Sequence, residues 1–288
     1  MTSLQNKSRI MLLTSVFIFG TIGILRRYIP LSSSLIALVR GVIGSLFLIS
    51  LIYIRKNKLN IASIRKNLVL LILSGAAIGF NWILLFEAYN YTSVATATLC
   101  YYLAPILVIL ASPVVLKESL TKRKILCAVT ALLGMVLVSG ILDAQFSGIA
   151  EMRGVLFGLG AAILYASVIL MNKKMSGISA YDKTILQLSM ASLALLPYVL
   201  LTENWTAITF TPLATTLLLI AGIVHTGIAY WLYFGSMEHL HSHTVALLSY
   251  LDPILAIVLS MIFLQEPMSV ASAIGAVMIL GAAYISEK

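Results

Sequence analysis

The stretch YYLAPILVILASPVVLKE at 101–118 recurs in altered form as SYLDPILAIVLSMIFLQE at 249–266. Both copies carry a tyrosine, a leucine and a proline in the same order, and both end on a glutamate thirteen residues after that proline. The matched pairs are Tyr102 and Tyr250, Leu103 and Leu251, Pro105 and Pro253, and Glu118 and Glu266. Apolar matches are common between membrane segments, but a shared proline followed by a shared glutamate is uncommon. The chain therefore contains an internal duplication with an offset of 148 residues.

The composition indicates what kind of chain was duplicated. Of its 288 residues, 60% are hydrophobic and only 10% are charged. A soluble domain has about 25% charged residues, and a disordered chain has low hydrophobicity and high charge, so both classes are excluded. Because a membrane-spanning helix needs about 20 apolar residues, the chain has room for about ten spans.

We predict ten transmembrane helices, since the backbone in hydrocarbon has to satisfy its own hydrogen bonds. The predicted spans are 10–28, 33–54, 67–88, 93–116, 123–142, 154–172, 183–202, 213–235, 243–264 and 269–286. Cys100 and Cys127 lie inside apolar runs and form no disulfide or zinc pattern. No phosphate-cradling Gly-x-x-x-x-Gly-Lys-[Ser/Thr] loop is present, so ATP is not indicated as an energy source.

The basic residues predict the orientation of these spans. With the N-terminus in the cytoplasm, fifteen Lys and Arg residues fall in cytoplasmic segments and three in external loops. Membrane proteins carry such an excess of Lys and Arg in their cytoplasmic loops. We therefore expect a bacterial-type plasma membrane protein with both termini in the cytoplasm. The net charge of +9 is then a consequence of topology and does not indicate nucleic-acid binding.

The duplication predicts two halves, 1–145 and 146–288, of five helices each. Because five is odd, the second half has to enter the membrane from the opposite side. Such inverted repeats are typical of secondary transporters, since two similar halves can exchange conformations and open a central cavity to alternate sides.

The two copies of aromatic-Leu-x-Pro followed by Glu, and the glycine-rich helices after them, resemble the drug/metabolite transporter superfamily. The match is to its EamA-type members with ten helices, and it covers essentially the whole chain. The resemblance implies two inverted five-helix repeats. It also implies a cavity lined by helices 1, 3, 4, 6, 8 and 9, with helices 5 and 10 behind. Substrates in the family include amino acids, amines, sugars, nucleotide sugars and drugs, so the family leaves the substrate open.

Few polar or ionisable groups lie at membrane depth, where a charge costs about 2.5–3.5 kcal/mol at a helix centre. We therefore predict substrate-binding roles for Asn81, Trp82, Glu87, Tyr101, Tyr165, His225, Tyr230, Tyr250 and Asp252. Each has an ordinary alternative. The carboxylate of Glu87 can reach interfacial water, His225 can be a satisfied core histidine, and the aromatic rings can serve packing alone.

Four further residues are candidates for moving parts. Pro105 and Pro253 each remove a helix hydrogen bond, so they are paired hinges or static kinks. Glu118 and Glu266 end their helices, where a carboxylate is unfavourable, and we expect capping contacts to the next helix or, alternatively, a mirrored gate.

Two further sets of residues lie outside these predictions. Arg40 and Gln187 occupy matching positions in helices that the resemblance places at the periphery, so we expect structural pairing there with backbone carbonyls or a carboxylate, with substrate contact as the alternative. The alternating histidines at 239, 241 and 243 do not predict a metal site, and no cofactor is expected.

These features favour a secondary transporter of a small polar metabolite. We expect an amino acid or amine as substrate, because the candidate site holds carboxylates, a histidine and aromatic rings but no Lys/Arg cluster for phosphates. The expected direction of transport is outward. Another solute class is the first alternative, and a membrane receptor or an intramembrane enzyme is the second. Protons are a candidate coupling ion, and a homodimer in the lipid bilayer is a candidate assembly.

Overall fold

The computed structural model describes residues 3–54, 59–117, 119–139, 148–237, 240 and 242–287. All regular secondary structure in these residues is helical. The elements are α1 (Ser3–Gly20), α2 (Ile22–Arg27), α3 (Ser33–Ile54), α4 (Ile61–Tyr91), α5 (Val94–Tyr101), α6 (Ala104–Val115), α7 (Lys122–Val138), α8 (Ile149–Lys174), α9 (Ala180–Thr202), α10 (Pro212–Gly222), the π-helix π1 (Ile223–Ile228), α11 (Ala229–Met237), α12 (Ser242–Ser249), α13 (Leu251–Phe263) and α14 (Val270–Glu287).

Within the residues that the structure describes, seven helical segments are long and apolar enough to cross a membrane. They are Leu4–Arg27, Ser33–Ile54, Ile61–Tyr91, Val94–Val115, Ile149–Lys174, Ala180–Thr202 and Pro212–Met237. Leu251–Phe263 and Val270–Ile285 are shorter apolar helices. Large apolar side chains such as Val114, Leu201 and Val277 are 85%, 86% and 73% exposed, as a lipid-facing surface requires. The predicted all-helical membrane fold is confirmed, and the count of ten spans stays a prediction.

Helix α4 extends beyond its predicted span of 67–88. It begins at Ile61 because the side chain of Asn60 accepts a hydrogen bond from the Ser63 backbone N–H at 3.1 Å. The helix therefore continues through polar residues, including Arg65, that are outside the apolar run. An apolar pattern marks the hydrocarbon-facing part of a helix but not its capped end.

Two spans are interrupted at equivalent positions. Helix α5 ends at Tyr101 and α6 begins at Ala104, whereas α12 and α13 meet at Tyr250. Pro105 and Pro253 lie in the first turns of the helices that follow these breaks, where the missing N–H of proline removes no helix hydrogen bond. The prolines thus begin new helical segments rather than bend continuous ones.

The duplication is visible in the backbone as well. Lys117 and Gln265, which are 148 residues apart, have φ values of 58° and 54°. These two are the non-glycine residues with positive φ in the described part of the chain. Each follows the C-cap residue of its helix, at the position where a left-handed conformation commonly ends a helix. The two copies therefore share an unusual backbone geometry in addition to their side chains.

Helix packing has the symmetry of two inverted halves. Helix α4 of the first half packs on α8 and α9 of the second half. In the mirrored arrangement, α11 packs on α1 and π1 packs on α3. The pairs α3 with α9 and α7 with α14 each join equivalent helices, and α5 packs on α13, which is the second segment of the interrupted span equivalent to its own. The interior is therefore built mainly between the halves.

Glycines allow α7 and α14 to approach closely. A Cβ atom added to Gly134 would lie 2.8 Å from the carbonyl oxygen of Gly275, and one added to Gly275 would lie 2.5 Å from that of Gly134. Small residues at helix crossings permit such backbone contact in membranes. The crossing joins the last helices of the two halves.

Candidate functional site

A tyrosine and a carboxylate connect the two halves at the helix breaks. The hydroxyl of Tyr102 donates a hydrogen bond to Oδ2 of Asp252 at 2.6 Å. Tyr102 is the C-cap residue of α5, directly after its last residue, and Asp252 lies in the first turn of α13. Both side chains remain partly accessible. This contact places a carboxylate, held by a charge-assisted hydrogen bond, where interrupted helices from both halves meet.

Aromatic rings continue this site towards α8. The ring of Tyr101 lies 5.2 Å from that of Tyr165 and 5.8 Å from that of Tyr102, measured between centroids. Tyr165 is 38% exposed although it contacts these rings. The structure thus brings together Tyr101, Tyr165 and Asp252, with Tyr102 between them.

A second aromatic group contains Tyr230. Its ring lies 5.3 Å from Phe19 of α1 and 6.0 Å from Phe234. Tyr230 is partly buried and packs against the core that includes Trp82. Tyr230 and Trp82 are 148 residues apart in sequence, so the duplication places an aromatic side chain at the same position of both halves.

Arg40 lies beside Trp82, at the contact of α3, α4 and π1. Its guanidinium carbon is 4.3 Å from the centroid of the Trp82 ring and 5.3 Å from that of Phe86. Its Nε donates to Oγ1 of Thr226 at 3.1 Å. The resemblance implied a peripheral position for this arginine, with a carbonyl or carboxylate as its expected partner. The structure instead buries it against two aromatic rings and a hydroxyl.

His225 lies in the π-helix and contacts the break between α1 and α2. Its Nε2 is 2.9 Å from Oγ1 of Thr21, and its Nδ1 is 3.4 Å from the carbonyl oxygen of Ile220. The residue is 4% exposed. Such π-helical turns are frequent at functional sites.

An apolar cleft of about 340 Å³ adjoins His225. It is bounded by helices from both halves. The lining residues are Phe17, Thr21, Ile24, Leu25, Tyr28, Leu217, His225, Leu259 and Phe263. Thr21, Tyr28 and His225 are its polar side chains, and the remaining lining residues are apolar, so the cleft suits an apolar group of a ligand.

Three predicted residues lie apart from Tyr102 and Asp252. Nδ2 of Asn81 donates to the carbonyl oxygen of Ala161 at 2.6 Å, which ties α4 to α8. Glu87 lies near the end of α4 and accepts a hydrogen bond from Asn90 at 3.3 Å. The ring of Tyr250 lies 6.3 Å from Tyr284 of α14 and packs with the α7–α14 core.

Glu266 joins three helix ends. Its Oε1 lies 2.8 Å from Nη2 of Arg27, and its Oε2 accepts a hydrogen bond from the backbone N–H of Val94 at 2.8 Å. Nη2 of Arg27 also donates to the carbonyl oxygen of Thr92 at 2.9 Å. A carboxylate is stabilised at the N-terminus of a helix, so the charge of Glu266 is compensated by α5 of the other half. The sequence led us to expect the next helix, α14, as the partner of Glu266, but its partners are α5 and Arg27.

Three residues named from the sequence lie outside the described residues, namely Glu118, His239 and His241. The same is true of the side chain of His243. Elsewhere in the described chain, no group of three or more His, Cys, Asp or Glu side chains could hold a metal ion.

Tyr102 is the functional candidate that our sequence reasoning missed. A signal for it existed, because Tyr102 is the repeat partner of Tyr250. The second tyrosine of the pair Tyr101 and Tyr102 is the one that meets the carboxylate across the repeat. Helix rotation decides which of two adjacent side chains faces the partner half.

Comparison with known proteins gives the family. A model described as the EamA-like transporter family matches the chain twice, over residues 6–140 and 152–287. Uncharacterized transporter YxxF of Bacillus subtilis is 30% identical over 278 residues, which cover 94% of this chain and 86% of that protein. Protein PecM of Dickeya dadantii is 28% identical over 226 residues, covering 76% and 73% of the two chains.

A solved crystal structure shares the fold. It aligns with a TM-score of 0.67 at 19% sequence identity, and the alignment covers 97% of this chain and 96% of that chain. The chain belongs to the EamA-like transporter family.

Proposed function

We propose that the protein is a secondary transporter that moves a small polar metabolite, an amino acid or amine, by alternating access. The hydrogen bond between Tyr102 and Asp252 carries this proposal. The partly accessible carboxylate of Asp252 lies where interrupted helices of both halves meet, and it is a counter-charge for a substrate ammonium group. The neighbouring rings of Tyr101 and Tyr165 offer faces that attract a cation and pack on an apolar side chain.

The paired helix breaks support the alternating-access part of the proposal. Each half contributes one helix that is interrupted just before a proline, at Pro105 and Pro253. Interrupted helices near the membrane midplane are where secondary transporters bind their substrates. We take 1–145 and 146–288 as the units that move, with the two prolines as hinges.

We further propose that both termini are cytoplasmic and that flux is outward. The bias of Lys and Arg towards one set of loops supports the orientation. In that orientation, the contact of Glu266 with Arg27 and α5 closes the extracellular ends of the helices. A state closed on that side accepts substrate from the cytoplasm.

The orientation has a direct test. A cysteine placed at Asn204 should react with an impermeant thiol reagent added outside intact cells, whereas one at Asn57 should react only after permeabilisation. The opposite pattern would reverse the orientation.

Proton coupling is proposed through Asp252 or His225, which are titratable candidates in the second half of the chain. If a proton gradient drives export, a protonophore should abolish accumulation in inside-out vesicles without changing counterflow. If the protonophore leaves both accumulation and counterflow unchanged, a solute gradient is the energy source.

Counterflow in proteoliposomes tests the transport function itself. Purified protein is reconstituted with an internal pool of each amino acid, amine, sugar or nucleotide sugar, and uptake of the labelled solute is measured. We expect exchange of an amino acid or amine, accompanied by a rise in melting temperature on binding. Exchange restricted to sugars or nucleotide sugars would replace the proposed substrate class, and binding without flux in the whole panel would favour a receptor.

A further inference from the structure

Arg40 is a buried cation in the apolar interior. It is 5% exposed and lies within α3, a span of 22 residues with no other charged side chain. One face of the guanidinium is covered by Trp82, and Phe86 lies close by. An ionisable side chain inside a membrane span is costly, and such residues mark substrate or ion pathways.

The hydrogen bonds of Arg40 leave most of its donors unused. Nε donates to Thr226. Among the described residues, neither Nη atom donates a hydrogen bond, and the ion pair that the structure contains is Arg27 with Glu266. The titratable side chains within electrostatic range of Arg40 include the phenols of Tyr230, Tyr89 and Tyr101 and the imidazole of His225. No carboxylate of the described chain compensates this charge.

Arg26 provides an internal comparison because it is also 5% exposed. Its Nη1 donates to the carbonyl oxygen of Ile29 at 3.0 Å, and its Nη2 donates to Ser33 at 3.2 Å and to Asn90 at 3.0 Å. Arg26 also lies within electrostatic range of Glu87. At equal burial, both Nη atoms of Arg26 therefore donate hydrogen bonds while its Nε has no partner, whereas Arg40 uses Nε and neither Nη atom.

The position of Arg40 relative to Asp252 suits a ligand with two charges. Tyr101 packs against the core that contains Trp82, the residue that covers Arg40, and its ring lies 5.8 Å from that of Tyr102. The hydroxyl of Tyr102 in turn donates to Asp252. A molecule that reached both charged groups would meet a cation at one end, a carboxylate at the other and aromatic rings alongside.

We propose that Arg40 binds the carboxylate of the substrate through its two Nη atoms, while Asp252 faces the amine. A guanidinium matches a carboxylate with two parallel hydrogen bonds, which an ammonium group cannot do. This inference rests on the proposed transport function. It narrows the substrate from amino acid or amine to a zwitterionic amino acid, because a simple amine leaves Arg40 uncompensated.

The test compares each of the twenty standard amino acids with its decarboxylated amine, by counterflow and by thermal shift. Wild-type protein should exchange at least one amino acid and discriminate against the matching amine by about 100-fold. Arg40→Met should lower amino-acid exchange by a similar factor, and Arg40→Lys should raise KM while retaining measurable exchange. The lysine keeps the charge but loses the planar fork.

Gln187→Met is the matched control. Gln187 is 4% exposed at the corresponding position of the second half, and it donates to Ser74 at 2.7 Å between α9 and α4. This variant should lower stability without changing the discrimination between amino acid and amine. Equal loss of discrimination in both variants would assign Arg40 a structural role only.

The outcomes separate the two proposals. Wild-type protein that exchanges amines as well as amino acids overturns the role of Arg40 and leaves the transport function standing. Failure to exchange either class overturns both. The wild-type comparison needs no variant, so the proposal stays testable even if Arg40→Met does not fold.

Discussion

The Oε2 atom of Glu266 accepts a hydrogen bond from the backbone N–H of Val94 at 2.8 Å, which joins the end of α13 to the start of α5. These helices belong to different halves, and each is one segment of an interrupted span that the repeat makes equivalent to the other span. The duplication places Glu118 at the corresponding position of the first half. We infer that the contact of Glu266 with α5 is a latch between the two halves.

Glu266→Ala should loosen this closure. The variant loses a charge-assisted cap and the ion pair with Arg27, whose side chain is 33% exposed, so the pair itself contributes little. We expect a loss of about 0.5–2 kcal/mol in stability, as for other helix caps. A cysteine at Tyr165, with Cys100 and Cys127 replaced by alanine, should then react faster with an external thiol reagent. Gln265→Asn is the control, because it keeps the left-handed backbone and the carboxylate, and an equal rise there would refute the latch.

Tyr102→Phe should weaken substrate binding. The substitution keeps the ring but removes the donor to Asp252 at 2.6 Å, and a hydrogen bond to a charged group contributes about 1.5–3 kcal/mol. We expect the Kd from thermal titration to rise about tenfold or more. Tyr198→Phe, on the exposed side of α9, removes a hydroxyl far from the site and should have no effect. Unchanged binding in Tyr102→Phe would remove this tyrosine from the site.

His225→Ala and Thr21→Val should each impair transport without loss of expression. The two side chains share one hydrogen bond of 2.9 Å between the π-helix and the α1–α2 break. If they act as a unit, the double variant should be no worse than the stronger single variant in kcat/KM, since contacting residues are not additive. Thr216→Val, which loses an exposed hydroxyl on α10, is the control. Unchanged kinetics in His225→Ala would make this histidine a packing residue.

Gly134→Ala should destabilise the α7–α14 crossing. The added methyl group would lie 2.8 Å from the carbonyl oxygen of Gly275, so the helices have to separate. Overpacking of this kind costs about 1–3 kcal/mol, and the melting temperature in detergent should fall. Gly281→Ala is the control, because it makes the same substitution in α14 where nothing lies within 4 Å of the new Cβ. The melting temperature of this variant should not change. Equal melting temperatures would show that the crossing tolerates separation.

The fold class followed from the sequence because hydrocarbon leaves the chain few options. Apolar runs of span length have to be helices, and the shared prolines and glutamates at 105, 118, 253 and 266 revealed the duplication. The odd number of helices predicted in each half then implied inversion. Asp252 was also recognisable, since an acidic side chain inside a span needs a reason to be there.

The partners of the site residues were decided by the tertiary structure alone. Sequence periodicity does not give the rotation of one helix against a helix 150 residues away, so Tyr102 rather than Tyr101 was the unforeseen partner of Asp252. The same rotation commits Asn81 to the backbone of α8 and turns Tyr250 towards α14. It also places Nε of Arg40 against Thr226, because α3 packs against π1 across the interface between the halves. The contacts of Asp252, Asn81 and Arg40 thus depend on packing between halves, and that packing exists only after both have folded.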